Sequence, residues 1–191
     1  MALMPFTDAM AAVLRGADAL PEEMVALEEA FHRVLARDVA SLRTQPPQAM
    51  SAMDGYAVRT SDATLGAKLK VIGEVAAGRP FEHALSNGEA ARIFTGGVVP
   101  EGADAIVIQE DATRDGDIVV VNEAAREGRH IRKAGIDFRQ GDVILKKGHR
   151  LTDRDLAVAA AMNHASVPVH RRPKVALLAT GDELVMPGAT P

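Results

Sequence analysis

Two sequence motifs contain oxygen-bearing side chains that could bind a metal or an anion. Asp54 lies in SAMDGYAV (residues 51–58), where Asp-Gly between two extended runs is typical of a hairpin turn. A carboxylate on such a rigid turn, beside a proline-rich segment, would suit Mg²⁺, which prefers oxygen ligands and keeps several of its waters. Thr95-Gly96-Gly97 lies in FTGGVVPEGADAIV (residues 94–107) and could offer backbone N–H groups and a hydroxyl to an oxyanion. The turn signal Pro100-Glu101-Gly102 is the alternative explanation of that segment.

Two further motifs contain charged side chains. In IRKAGIDFRQGD (residues 131–142), Arg132 and Lys133 stand close to Asp137. Phosphate recognition needs such donors, and a surface ion-pair cluster needs the same residues. In TGDEL (residues 180–184), Asp182 and Glu183 follow an apolar run, which suggests metal or substrate contact at the end of a strand. The alternative there is an ordinary helix start with acids in its first turn.

Composition excludes several classes of protein. The chain has 191 residues, 47% of them hydrophobic and 25% charged, with a net charge of -4. No apolar run approaches the roughly 20 residues of a membrane helix, and the N-terminus has no secretory signal, so we expect a cytoplasmic protein without membrane contact. Zero cysteines exclude disulfides and thiolate metal sites. Only six aromatic side chains on an acidic protein argue against nucleic-acid binding.

A local excess of positive charge lies between residues 126 and 154, which contain nine basic and four acidic residues. A basic patch on an acidic protein favours a small anionic ligand. A solvated face that pairs with its own acids is the alternative.

The elements that must position these side chains can be read from periodicity and turn signals. A helix is predicted from Thr7 and a second from about Leu27, followed by a proline-rich stretch at residues 44–50 that marks a linker or a domain crossing. A third helix is predicted after Thr152, where Thr152 and Asp155 resemble a capping box. Six short β-type runs lie between Gly and Asn turns: residues 56–58, 70–75, 91–94, 105–108, 118–121 and 143–145.

These elements predict an α+β fold with a discontinuous first domain. Residues 1–43 and 149–172 would form a helical, mixed domain I, and residues 44–148 a β-hairpin-rich domain II inserted into it. A strand at 167–169 and an apolar run at 175–179 follow. The run and the TGDEL turn are typical of the first βα unit of a doubly wound sheet, so residues 173–191 are interpreted as the start of a truncated domain III. We therefore expect an N-terminal piece of a longer protein.

Taken in order, the motifs resemble the molybdopterin molybdenumtransferase family, the MoeA and gephyrin E-domain proteins. The strings that carry the resemblance are SAMDGYAV, RIFTGGVVPEGADAIVIQE, IRKAGID, GDVILKKGHRL and ATGDEL. The resemblance implies insertion of molybdate into adenylylated molybdopterin with release of AMP, assisted by a divalent cation such as Mg²⁺. It also implies elongated homodimers, with a cleft between the β-rich domain of one subunit and the third and fourth domains of the other.

By motif matching, the resemblance implies catalytic roles for Asp54, Asp137 and Glu183, with Asp54 and Glu183 as Mg²⁺ ligands. It also implies a functional role for Thr95, which we assign to substrate binding. Arg132 and Lys133, from their positive charge, would offset phosphate charge and bind a small anionic pterin. Because most of the third domain and all of the fourth are missing from these 191 residues, we expect the chain alone to be inactive. The alternative is a non-catalytic module for dimerisation or partner binding, as in the gephyrin branch.

Overall fold

The computed structural model describes residues 4–79, 81–178, 180–181 and 184–188. The chain folds into a mixed α/β structure with few helices. Its elements in chain order are α1 (Phe6–Leu14), β1 (Glu22–Ala26), β2 (Val39–Ala40), β3 (Met50–Ser51), β4 (Gly55–Val58), β5 (Lys68–Val75), β6 (Glu89–Ile93), β7 (Ala105–Ile108), β8 (Ala112–Asp115), β9 (Ile118–Val121), β10 (Ile131–Arg132), β11 (Val143–Leu145), α2 (Asp153–Ala161) and β12 (Ser166–His170). Within the described residues, no helix has the length and apolar character needed to cross a membrane.

Two compact units divide the chain. Unit 1 comprises Met1–Val39, Leu145–Leu156 and Ala165–Pro191, and unit 2 comprises Ala40–Ile144 and Ala157–His164. In unit 1, β1 pairs antiparallel with β12. In unit 2, six strands form one sheet in the order β7-β4-β6-β5-β9-β8. The predicted domain boundaries stay a prediction.

The six-stranded sheet is antiparallel except for the pair β5 and β6. The sheet carries an apolar cluster on each of its two faces, because neighbouring residues of β4, β6 and β7 pack into different clusters. On β4, for example, Tyr56 and Val58 pack into one cluster and Ala57 into the other. Burial on both faces explains why these strands read as short continuous apolar runs rather than alternating ones. Valine, isoleucine, leucine and alanine fill most of this core, as the scarcity of aromatic residues predicts.

The six predicted β-type runs are confirmed to within about two residues. A tight turn at Asp115-Gly116 joins β8 to β9 as a hairpin, with Asp115 opposite Ile118. The capping signal before α2 is also confirmed, because the N–H of Thr152 donates to Asp155 Oδ2 at 2.8 Å and the N–H of Asp155 donates to Thr152 Oγ1 at 3.4 Å. Helix α1 forms as predicted, although Pro5 precedes its first residue and Thr7 lies inside it.

Two predictions about regular structure are wrong. The helix predicted from Leu27 is a single 3-10 turn, Leu27–Glu29, directly after β1. Backbone pairing at long range overrides the helical period there, since the N–H of Leu35 donates to the carbonyl of His149 at 3.0 Å. The predicted strand at 175–179 is absent from 175–178, where Leu177 is 95% exposed, and residue 179 lies outside the described residues. An apolar run forms a strand only where another strand pairs with it.

Candidate functional site

The proline-rich segment at residues 44–51 is the backbone framework of the candidate site, which lies entirely within unit 2. The N–H of Gln45 donates to the Phe138 carbonyl at 2.9 Å, and the N–H of Asp137 donates to the Gln45 carbonyl at 3.1 Å. Gly135 donates similarly to Pro46 at 2.9 Å. The segment is therefore bound to the IRKAGID loop and is not a free linker, and its interpretation as a domain crossing stays a prediction.

The end of the same segment also contacts the first residues of the IRKAGID motif and the Thr95-Gly96-Gly97 loop. Strand β3 pairs antiparallel with β10, with Ser51 opposite Ile131. The N–H of Ser51 donates to the Gly97 carbonyl, and the N–H of Gly96 donates to the Ser51 carbonyl, both at 2.9 Å. Three motifs that are distant in sequence are thus attached to one short stretch of backbone.

The Asp54 carboxylate is fixed by Thr95. The backbone N–H of Thr95 donates to Asp54 Oδ1 at 2.7 Å, and its hydroxyl donates to the same oxygen at 2.8 Å. These two bonds hold the pKa of Asp54 below its usual value, and the bond from the backbone N–H has the larger effect. The positive charge of Arg92 also lowers this pKa, whereas burial of the carboxylate raises it. Within the described part of the chain, no donor reaches Asp54 Oδ2. The group is an ionised carboxylate with one oxygen available.

Gly55 is a glycine because strands β4 and β7 lie too close together there for a side chain, and not because the chain turns. Asp54 closes a bend at residues 52–54, which we call the Asp54 bend, and Gly55 begins β4 directly afterwards. A Cβ on Gly55 would lie 2.1 Å from the Val107 carbonyl oxygen on β7. The interpretation of Asp54-Gly55 as a hairpin turn is therefore wrong: the glycine lets two strands approach closely beside the carboxylate.

The Thr95-Gly96-Gly97 loop does not present its N–H groups to a ligand. The N–H of Gly96 is bonded to the Ser51 carbonyl, that of Thr95 to the Asp54 carboxylate, and that of Gly97 to the Phe94 carbonyl at 2.8 Å. Gly96 has φ of +81°, which suits the third position of a type II turn. The prediction that this backbone forms an oxyanion loop is wrong, because the fold itself uses all three donors. The role of the Thr95 side chain toward substrate stays a prediction.

Arg132 and Asp137 form an exposed ion pair. Arg132 Nη2 lies 2.8 and 3.0 Å from the two carboxylate oxygens of Asp137, and the side chains are 51% and 42% exposed. Exposed pairs of this kind contribute at most about 1 kcal/mol, so a phosphate could displace the acid. Lys133, the next residue, is exposed. Within the described residues, no hydrogen bond joins this pair to Asp54 and Thr95.

Sequence reasoning missed Arg92, which lies beside Asp54. Its guanidinium carbon is 5.2 Å from the Tyr56 ring centroid and 4.9 Å from that of Phe94. Arg92 is on β6 among buried alanine and isoleucine residues. A charged residue inside an apolar strand, three positions before Thr95, was the signal available in the sequence.

The proposed metal ligands are only partly described. Asp182 and Glu183 lie outside the described residues. Among the residues that the structure does describe, no group of three or more His, Asp or Glu side chains could enclose a metal ion. Asp54 is therefore the one predicted metal ligand whose surroundings can be stated.

Residues 4–163 match the family model described as the MoeA N-terminal region (domain I and II). The chain belongs to this family. It is 41% identical over 167 residues to a molybdopterin molybdenumtransferase of Haemophilus influenzae, covering 87% of this chain and 41% of that protein. It is 37% identical over 172 residues to a Bacillus subtilis protein of the same name, covering 85% of this chain and 40% of that one.

Solved MoeA structures share the fold. A molybdopterin biosynthesis MoeA protein from Pyrococcus horikoshii superimposes with a TM-score of 0.84 and 36% identity, over 99% of this chain and 50% of that one. A second structure, from Pyrococcus horikoshii OT3, gives a TM-score of 0.81 and 35% identity, over 88% of this chain and 46% of that one. This MoeA-family chain spans about two fifths of the length of these two curated relatives.

Proposed function

We propose that this chain is part of a molybdopterin molybdenumtransferase, which inserts molybdate into adenylylated molybdopterin and releases AMP. The names of the relatives support a role in molybdenum cofactor biosynthesis. The structural observation that carries the proposal is the Asp54 carboxylate, held in place by two hydrogen bonds from Thr95 to one oxygen and with the other oxygen available. Release of AMP requires displacement at a phosphoryl group, which depends on fixed charges more than on a covalent nucleophile.

The donor set fits a Mg²⁺ ion that takes part of its coordination from substrate. Mg²⁺ is usually bound through one or two carboxylates together with phosphate oxygens and water. Asp54 offers one such oxygen. Glu183 stays a proposed metal ligand on the strength of the family motif that it matches. When bound, the ion would neutralise negative charge on the phosphates of the substrate.

The remaining polar residues have proposed roles toward the pterin substrate. Asp137 would act as a further catalytic carboxylate, and its partner Arg132, with Lys133, would bind substrate phosphate. A phosphate that competes for Arg132 would release the Asp137 carboxylate from its ion pair, which stands at 2.8 Å. The Thr95 hydroxyl would keep Asp54 in place while contacting the substrate.

The assembly and location of the whole protein are also proposals. We propose a cytoplasmic homodimer in which the β-rich domain II, residues 44–148, faces further domains of the partner subunit. Domain I would comprise residues 1–43 and 149–172, and residues 173–191 would begin domain III. On this proposal, the 191-residue chain alone does not complete the cleft and is inactive.

The test is molybdate-dependent release of AMP from adenylylated molybdopterin by the full-length protein. Asp54→Asn keeps the shape of the side chain and removes its charge, so we expect a loss of about 100-fold or more in kcat. Asp62→Asn is the matched control, because Asp62 is also an aspartate of unit 2 whose pKa is lowered, by a hydrogen bond from the Gly88 N–H.

No release above background by the wild-type protein would reject the transferase proposal. Equal losses in Asp54→Asn and Asp62→Asn would show that the effect is structural. Full activity in both Asp54→Asn and Asp137→Asn would reject the catalytic roles proposed for these two carboxylates.

A further inference from the structure

Arg92 donates to two acceptors that adjoin the Asp54 bend. Its Nη1 donates to the Gly55 carbonyl oxygen at 3.1 Å, and its Nη2 donates to Gln109 Oε1 at 2.8 Å. The backbone N–H of Gln109 donates in turn to the Asp54 carbonyl oxygen at 3.1 Å. One guanidinium therefore links the residue that follows Asp54 to the residue that binds the Asp54 carbonyl.

The aromatic contacts of Arg92 extend this link to Thr95. Tyr56 lies opposite Arg92 across β4 and β6, and Phe94 directly precedes Thr95 in the chain. Both ring centroids lie within 6 Å of the guanidinium carbon, the range in which a cation is attracted to a ring face. The guanidinium thus contacts the segments that carry Asp54 and Thr95.

We propose that Arg92 is a positioning residue for the Asp54–Thr95 pair in the transferase reaction. The inference rests on the proposed function for its catalytic consequence, and its structural part stands on these contacts alone. A displacement of a reacting group by about 1 Å can cost roughly 100-fold in rate. Lysine cannot replace arginine here, because a single ammonium lacks the planar fork that reaches two acceptors and stacks on two rings.

Two substitutions in the full-length protein separate positioning from charge. Arg92→Met removes the donors and keeps an apolar stem between the rings, whereas Arg92→Lys keeps the positive charge and removes the fork. Arg114→Met is the matched control, because Arg114 belongs to the same sheet, on β8, and donates only to the Gly116 carbonyl within the described residues. If Arg92→Met fails to fold, Arg92→Lys carries the test.

Two measurements are made on each variant. The first is kcat and KM for AMP release, and the second is hydrogen exchange of the backbone N–H of Gln109. In both Arg92 variants we expect kcat to fall by about 10-fold to 100-fold with KM changed less than threefold, because positioning acts on the transition state. The Gln109 amide should exchange at least about 10-fold faster, since its acceptor on the Asp54 bend is no longer held. Arg114→Met should match the wild type in both measurements.

Wild-type kcat or unchanged Gln109 exchange in either Arg92 variant would overturn the inference. A rise in KM with unchanged kcat would overturn it as well, because it would assign Arg92 to substrate binding. If the wild-type protein releases no AMP, the proposed function fails, and the exchange measurement still decides whether Arg92 holds the Asp54 bend.

Discussion

Replacing Gly55 with alanine should destabilise the six-stranded sheet and displace the Asp54 bend together. The new Cβ would lie 2.1 Å from the Val107 carbonyl oxygen and 2.9 Å from the Ile108 Cα, and real Cβ atoms essentially never come closer than 3.0 Å to such atoms. Strands β4 and β7 must therefore separate, and both clashing atoms are backbone that cannot rotate away.

The expected loss follows from overpacking of a buried site. Insertion of a methyl group against a rigid neighbour costs roughly 1–3 kcal/mol, and the lower entropy of the unfolded alanine chain offsets about 0.5 kcal/mol of this. We therefore expect Gly55→Ala to lower the free energy of unfolding by about 2 kcal/mol. That would be a large fraction of the roughly 5–15 kcal/mol that stabilises a typical domain.

Urea unfolding followed by tyrosine fluorescence measures this loss directly, because the chain has one tyrosine and no tryptophan. That tyrosine is Tyr56, the next residue in β4. Gly73→Ala is the matched control: its new Cβ would meet the Phe81 ring at 2.7 Å, the end of a side chain that can move. We expect a loss below about 1 kcal/mol for the control. Equal midpoints for wild type and Gly55→Ala, or equal losses in both variants, would refute the steric argument.

Three further predictions concern individual side chains. Thr95→Val removes one of the two hydrogen bonds that lower the pKa of Asp54, so that pKa should rise in a carbon-13 NMR titration. Because a lowered carboxyl pKa stabilises the fold above about pH 4 and the gain is lost as pH falls through the folded value, the variant should lose less stability in acid. Thr152→Ala should cost about 1 kcal/mol in urea unfolding and Thr152→Ser much less, because Thr152 caps α2. Arg132→Ala should change stability by less than about 1 kcal/mol while raising KM for the anionic substrate of the full-length protein.

The strands of unit 2 could be predicted because local signals agree with the tertiary structure there. Short apolar runs bounded by glycine turns become β4, β7 and β9, each within one residue of its predicted limits. The helix predicted from Leu27 fails for the opposite reason. Its apolar spacing is helical, but Val34 bridges Arg150 and Leu35 bridges Val169, and no local pattern shows partners so distant in the chain.

The sequence predicted which residues belong to the candidate site, but it did not predict the hydrogen bonds between them. Asp54 and Thr95 are both predicted as functional, yet only the structure shows that they bond to each other and that the loop N–H groups are used internally. Arg92 was missed because its positioning role depends on contacts with four partners, which lie in β4, in the loop after β6 and in the segment after β7. Convergence of that kind cannot be read from spacing along one chain.

The sequence alone determined the β-rich character of residues 55–121, the capped start of α2 and the motifs that resemble one enzyme family. These features depend on neighbours within a few positions, where propensity, turn chemistry and periodicity act. The tertiary structure alone decided which acceptors the Gly96 and Gly97 amides use, why Gly55 must lack a side chain, and how Arg92 reaches the Gly55 carbonyl beside Asp54. The physical reason is that hydrogen bonds and steric limits between distant segments exist only once the backbone has brought them together.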